Sequence, residues 1–360
     1  SHELYPENMA GIPQATFDPA DPDVAVGPHH VVQVVNTAVM FADKRTGKII
    51  FQQVMDDVPG ASTTIFEPFI DADSLMFDPR CWFDSHSQRF FLTVMEVHET
   101  KRISKIHLAY SDNADPMGSW KVFSADVKKV NKTVQYWADY NTAGYNRDAI
   151  VLPYLLFNFV GNRFLSSRIL IIPKAPLLDN ETVTTQTFEQ AAVPTIQVAK
   201  INDATVDKVY GVARMNTTTL RVYAFSNLTG VPKMNFKDVA VTEAPTLAER
   251  PARARTNRRL EPGPDRVLSA KFRSGILYTA QTVPKVNSNG TYQLGVAYYM
   301  ISTNSFPTKN PTLNQSGFYV PSGGADWTYP AVAVNADGDL AIAVTESSTG
   351  KNPVAMLLGR

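Results

Sequence analysis

A strand–turn–strand phrase recurs along this chain and constrains its fold more than any other feature. "DPDVAVGPHHVVQVVN" starts at Asp21, "DPRCWFDSHSQRFFLTV" at Asp78, "DYNTAGYNRDAIVLPYL" at Asp139 and "YPAVAVNADGDLAIAVTE" at Tyr329. Looser copies are "DRVLSAKFRSGILYTAQT" from Asp265 and "PTIQVAKINDATVDKVYGVARM" from Pro194. Each copy has a short apolar run, a turn of residues that tolerate tight backbone geometry, and a second apolar run. Successive starts lie roughly 60 residues apart, which suits a propeller-type array. Third runs follow as "KIHLAYS", "SSRILIIP", "TLRVYAF" and "LGVAYYMI", and "WKVFSA" reads as a fourth. Helical periodicity is nearly absent, and Gly and Pro punctuate the chain throughout.

The pattern predicts an all-β fold: a six-bladed β-propeller of four-stranded antiparallel blades, with a seventh blade in 228–264 as the alternative. The last copy lacks a visible fourth strand. The N-terminal "IPQATF" is expected to supply it, closing the ring and removing a free sheet edge. The whole chain, 1–360, reads as one propeller domain carrying a basic loop insertion at about 246–266.

At 360 residues and 44% hydrophobic, the chain is too apolar for disorder. Lys plus Arg and Asp plus Glu both number 34, so bulk charge argues against a nucleic-acid partner. The single cysteine, Cys81, excludes an intrachain disulfide and is expected to be a small buried hydrophobe. No apolar stretch is long enough for a membrane span. Sequons at Asn131, Asn180, Asn216, Asn227, Asn289 and Asn314 point to a secreted or extracellular glycoprotein. A monomer is expected.

The phrases "DPDVAVGPHHVVQVVN", "FDPRCWFDSHSQRFFL", "YSDNADPMGSW", "ADYNTAGYN" and "NFVGNRFLSSRILIIPKAPLL" together resemble a group of secreted or surface-attached β-propellers of unestablished activity. The likeness runs from about Asp21 to Ser348 and implies fold more than function. "SDNADPMGSW" (111–120) is also similar to a loosened sialidase Asp-box, a hairpin that is structural in sialidases and implies no sialidase chemistry here.

Superimposing the copies predicts that Asp21, Asp78, Asp139, Asp265 and Tyr329 gather at one mouth of a central channel. Carboxylates so gathered must share protons, pair with cations or bind a metal. Asp78, Asp139, His98 and Tyr329 are the candidate catalytic groups, for general acid–base work on a glycan. Asp21, Arg80, Tyr140, Asn158, Asp265, Arg266, Gln281, Trp327 and Glu346 are the candidate substrate contacts, since aromatic faces beside polar groups suit sugar rings. Asp21, Asp78 and Asp139 are candidate ligands for calcium, the one cofactor expected.

The arginine-rich 248–266 segment would clamp an anionic ligand. The leading expectation is therefore a propeller that binds, and as a glycoside hydrolase or polysaccharide lyase would cleave, an acidic polysaccharide. The alternative is a non-catalytic propeller that displays its loops to a protein partner and holds at most a structural metal ion.

Overall fold

The computed structural model describes residues 11–12, 21–36, 38–55, 65–66, 69–242, 251–255, 259–263, 265–286, 288 and 290–359. It forms two compact units. One comprises 1–141 and 154–166, the other 142–153 and 167–360.

Six antiparallel sheets follow one another along the chain. Sheet one is β1 (Asp23–Val26), β2 (His30–Val35), β3 (Ala38–Asp43) and β4 (Ile49–Val54). Sheet two is β5 (Leu75–Asp84), β6 (Arg89–His98), β7 (Ile103–Ser111) and β8 (Trp120–Asp126). Sheet three has β9 (Lys129–Asn131), β10 (Val134–Asp139), β11 (Gly144–Tyr145), β12 (Ala149–Asn158), β13 (Phe164–Pro173) and, after the short helix α1 (Lys174–Leu178), β14 (Gln186–Ala191).

Sheet four is β15 (Gln197–Val198), β16 (Val209–Asn216), β17 (Thr219–Ser226) and β18 (Lys233–Ala240). Sheet five is β19 (Ser269–Arg273), β20 (Ile276–Val286), β21 (Tyr292–Ser302) and β22 (Thr312–Tyr319). Sheet six is β23 (Asp326–Val334), β24 (Leu340–Ser348) and β25 (Lys351–Gly359). Each sequence copy thus becomes one sheet, and its turn joins the first two strands, as "DSHSQ" joins β5 to β6. Residues 228–264 contribute β18 to sheet four, and no seventh sheet is present among the described residues. The N-terminal segment expected to complete sheet six lies, beyond Ile12, outside the described residues.

Strand faces that alternate inward side chains pack sheet against sheet. In the first unit Val32, Phe41, Met76, Cys81, Phe90 and Leu92 form one apolar cluster between sheets one and two. In the second, Val212, Val222, Leu277, Tyr299 and Ile301 join sheets four and five. Tyr278, Tyr298, Val332 and Ile342 do the same for sheets five and six. Burying each such side chain stabilises the fold by roughly 1.5–3 kcal/mol. Cys81 is fully buried, the small hydrophobe its setting predicts. The Asp-box-like stretch closes the β7–β8 hairpin: Trp120 Nε1 donates to Pro116 O at 2.8 Å, and its ring stacks on Phe41.

One backbone feature places the candidate site. Asp21, Asp78, Tyr140 and Tyr329 all have left-handed backbones, with φ of 42°, 51°, 46° and 52°. The ladder register slips between Phe77 and Arg80, and again between Thr328 and Ala331, so these are β-bulges at equivalent places in two sheets. Proline follows Asp21, Asp78 and Tyr329. Lacking an N–H, proline sits without loss where the ladder is already broken. In sheet three the bulge opens into the gap between β10 and β11, both of which pair with β12. The sequence overlay put Asp139 in register with Asp78. The left-handed backbone puts Tyr140 there, a correction of one residue.

Candidate functional site

At a bulge the chain turns a backbone N–H away from its own ladder, and a buried N–H must find an acceptor. Asp78 N donates to Asn36 Oδ1 at 2.6 Å, and Tyr140 N donates to Asp78 Oδ2 at 3.1 Å. Asp139 Oδ1 accepts the same Tyr140 N–H at 2.8 Å. One N–H thus draws two carboxyls together, the chemical root of the site in the first unit.

Arg80, two residues beyond the bulge, lies among these groups. Its Nε donates to Asn141 O at 3.1 Å, its Nη2 is 3.9 Å from Asp21 Oδ2, and its guanidinium lies 5.3 Å from the Tyr140 ring centroid. Asn141 Nδ2 donates to Thr93 Oγ1 at 2.8 Å. Asp23 Oδ2 accepts Cys81 N at 3.1 Å. Burial opposes the charge on Arg80, but Tyr140, Asp23, Asp78 and Asp21 more than offset it and hold the guanidinium firmly protonated. Burial pushes the Asp78 carboxyl up, the Asp139 charge adds to that shift, and Arg80 opposes it. The side chains of Arg80 and Asp21 keep 15% and 17% of their surface exposed, so a solute can reach them, whereas Asp78 is buried.

Of the residues predicted from sequence, Asp21, Asp78, Arg80, Asp139 and Tyr140 are therefore brought together. His98 is held in its own turn, its Nδ1 accepting Lys101 N at 3.3 Å. Asn158 Oδ1 accepts Arg163 N and closes the β12–β13 hairpin.

The others belong to the second unit. Asp265 pairs with buried Arg214 at 3.1 Å, and Arg266 Nη1 donates to Thr195 Oγ1 at 3.2 Å. Gln281 is buried and donates to Tyr299 Oη at 2.9 Å. Tyr329 N donates to Thr282 Oγ1 at 3.2 Å, repeating the bulge logic, while its side chain lies over Gly263. Trp327 Nε1 donates to Glu346 Oε2 at 2.9 Å. Lys351 and then Trp327 hold the Glu346 carboxyl below its ordinary range.

Sequence reasoning missed Asp23, Asn36, Thr93 and Asn141. Asp23 and Asn141 were visible as polar residues flanking the repeated start. Asn36 and Thr93 become legible only once neighbouring sheets are paired. Among the described residues no group of three or more His, Cys, Asp or Glu side chains is arranged to hold a metal ion. In the basic segment, Arg253 pairs with fully buried Asp326 at 3.0 Å, while Arg250 and Arg258 lie outside the described residues.

No protein-family model and no curated protein matches the chain. Solved structures are similar in fold. The hemagglutinin-neuraminidase ectodomain of parainfluenza virus 5 is 10% identical with a TM-score of 0.50, covering 99% of this chain and 83% of its own. The α-L-arabinanase of Penicillium chrysogenum is 12% identical with a TM-score of 0.43, covering 96% and 94%. The sialidase of Trypanosoma rangeli is 11% identical with a TM-score of 0.44 over 94% of this chain and 53% of its own, so this chain spans about half that protein's length. The viral likeness, at this identity, shows fold alone: the chain is an all-β protein with the six-bladed β-propeller fold, and its six sheets are the blades.

Proposed function

We propose that this protein is an extracellular carbohydrate-binding propeller whose sugar site is the polar cluster around Arg80. The observation that carries the reading is a guanidinium over an aromatic ring, its side chain 15% exposed, flanked by carboxylates that accept hydroxyl hydrogens. The fold supports the reading only as a known host of such sites. Exposed sequons at Asn131, Asn180, Asn216 and Asn227 fit an extracellular setting.

Charge refines the ligand. Asp21, Asp23, Asp78 and Asp139 outnumber Arg80, so the described cluster favours a neutral sugar. The acidic polysaccharide expected from the arginine-rich segment would depend on Arg255 and Arg259 rather than on Arg253, which is paired with Asp326. Asp78 and Asp139 share one N–H, closer than the about 5 Å or more that separates two carboxyls flanking a glycosidic bond. They suit a proton-sharing pair, with Asp78 as the acid. Cleavage would need a second carboxylate or a water on the far side of the sugar. Calcium, expected on Asp21, Asp78 and Asp139, has no group of three acidic side chains arranged for it among the described residues, and the proposed sugar contacts rest on Arg80, Tyr140 and the carboxylates alone.

The test is a binding panel of neutral, uronic and sulfated oligosaccharides on the intact chain, with Arg80→Ala alongside and calcium present or chelated. Saturable binding that falls at least about tenfold in the variant supports the proposal. No binding anywhere on the panel overturns it. A second reading, a non-catalytic interaction propeller, is favoured by one observation: Asp23, Asn36 and Asp78 all donate or accept across sheets. That reading predicts that Asp78→Asn alters stability and leaves every ligand unaffected.

A further inference from the structure

Sheet two carries a second polar assembly, remote in sequence from the bulge. Ser124 on β8 stands directly across the ladder from His107 on β7. Ser124 Oγ lies 2.7 Å from His107 Nδ1, and His107 Nε2 lies 2.7 Å from Glu96 Oε2. Glu96 and His107 are fully buried, whereas Ser124 is exposed. Asp71 N donates to Glu96 Oε1 at 2.9 Å, and Lys105 Nζ stands 3.6 Å from Oε2.

These contacts assign the imidazole tautomer. Glu96 accepts a backbone N–H and faces an ammonium, so it is a carboxylate and can only accept. Burial would raise its pKa, but His107 and the other donors overcome that and hold it down to about 2. The hydrogen between Glu96 and His107 therefore sits on Nε2. In the neutral imidazole Nδ1 then carries the lone pair, and the hydroxyl of Ser124 donates to it. This is the relation of nucleophile, base and orienting acid in an acyl-transfer triad, recognised by geometry rather than by order in the chain. Three adjacent strands supply it, on a rigid sheet rather than on loops.

We propose that Ser124, His107 and Glu96 form an acyl-transfer site for carboxylic esters. Ser124 Oγ adds to the ester carbonyl carbon as its proton passes to His107 Nδ1. The carbonyl C–O bond to the alcohol then breaks, and the alcohol departs with that proton. Water, losing a proton to the same nitrogen, releases the carboxylic acid and restores the hydroxyl. β8 is the last strand of its sheet, and the outward N–H groups of such an edge are donors for the oxyanion. Glu96 is the positioning residue. The site does not depend on the sugar reading and shares no residue with it.

The experiment treats the intact folded chain with a fluorophosphonate probe and maps the adduct by peptide mass spectrometry, with p-nitrophenyl acetate turnover measured in parallel. Ser124 should be labelled in preference to the other exposed serines. Labelling should vanish on heat denaturation and in Ser124→Ala, and turnover should fall with it. Glu96→Gln should lower the labelling rate at least about tenfold and change its pH profile, because the amide can turn its N–H₂ toward Nε2 and reverse the tautomer. Labelling of Ser124 no faster than in the denatured chain, or turnover unchanged in Ser124→Ala, would overturn the proposal. Ser124 is exposed, so its alanine variant does not perturb the core; wild-type labelling decides the matter even where Glu96→Gln folds poorly.

Discussion

Asp78 shows how a single residue serves fold and site together. Its backbone tolerates the left-handed turn because an Asp side chain can hydrogen-bond locally, and its carboxyl accepts the next sheet's N–H. Its folded pKa is raised, first by burial and then by Asp139. A raised carboxyl contributes most stability when protonated, below its unfolded value, and that contribution is lost as pH rises through the folded pKa. Asp78→Asn should therefore raise the melting temperature at pH 7 relative to wild type and leave it little changed near pH 3. Thermal melts at the two pH values check this. Asn36→Ala removes the acceptor of Asp78 N and leaves a buried donor unpaired, an expected loss of about 1–3 kcal/mol in denaturant titration.

Among the elements, the repeat specified strands and turns closely. Alternating apolar runs bounded by "GPHH", "DSHSQ", "FRSG" and "NADG" are local signals, and the ladders follow them. The bulges were harder to read, because an Asp-Pro or Tyr-Pro step describes a break without saying which residue takes positive φ. That is why Asp139 rather than Tyr140 was aligned with Asp78. Sheet three departs furthest, since "DYNTAGYN" has no proline at the break and its first strand divides into β10 and β11. Gly144 in β11 is held there by close approach: a Cβ would come within 2.6 Å of Ala199 O and 2.8 Å of Val198 Cβ. Gly144→Ala should destabilise by about 1–3 kcal/mol, measured as a lowered denaturation midpoint with unchanged slope.

Taken as a whole, the chain balances its charges, and few groups link its stability to acid. Glu96 is the clearest of them, held at about 2 against burial by His107 and its other donors. A depressed carboxyl gives stability that is complete above its unfolded value of 4.5 and lost as pH falls toward about 2. Acid unfolding should begin within that window, and Glu96→Gln should flatten the pH dependence there, as followed by circular dichroism.

The candidate cluster was legible in part for the same reason the fold was. A repeat carries position, so equivalent places in successive copies were matched without coordinates, and Asp21, Asp78 and Arg80 emerged with Tyr140 and Asp139. Their partners were not legible. Asn36, Thr93, His107 and Ser124 lie in unremarkable strand or strand-end positions, and only cross-sheet and cross-strand register decides what they touch. By itself the sequence determined the class of element and the number of copies, because these rest on local propensity and on turn chemistry repeated along the chain. The tertiary structure alone decided which carboxyl is pushed above its ordinary range and which hydroxyl meets an imidazole, because burial and hydrogen bonding arise between strands distant in the chain.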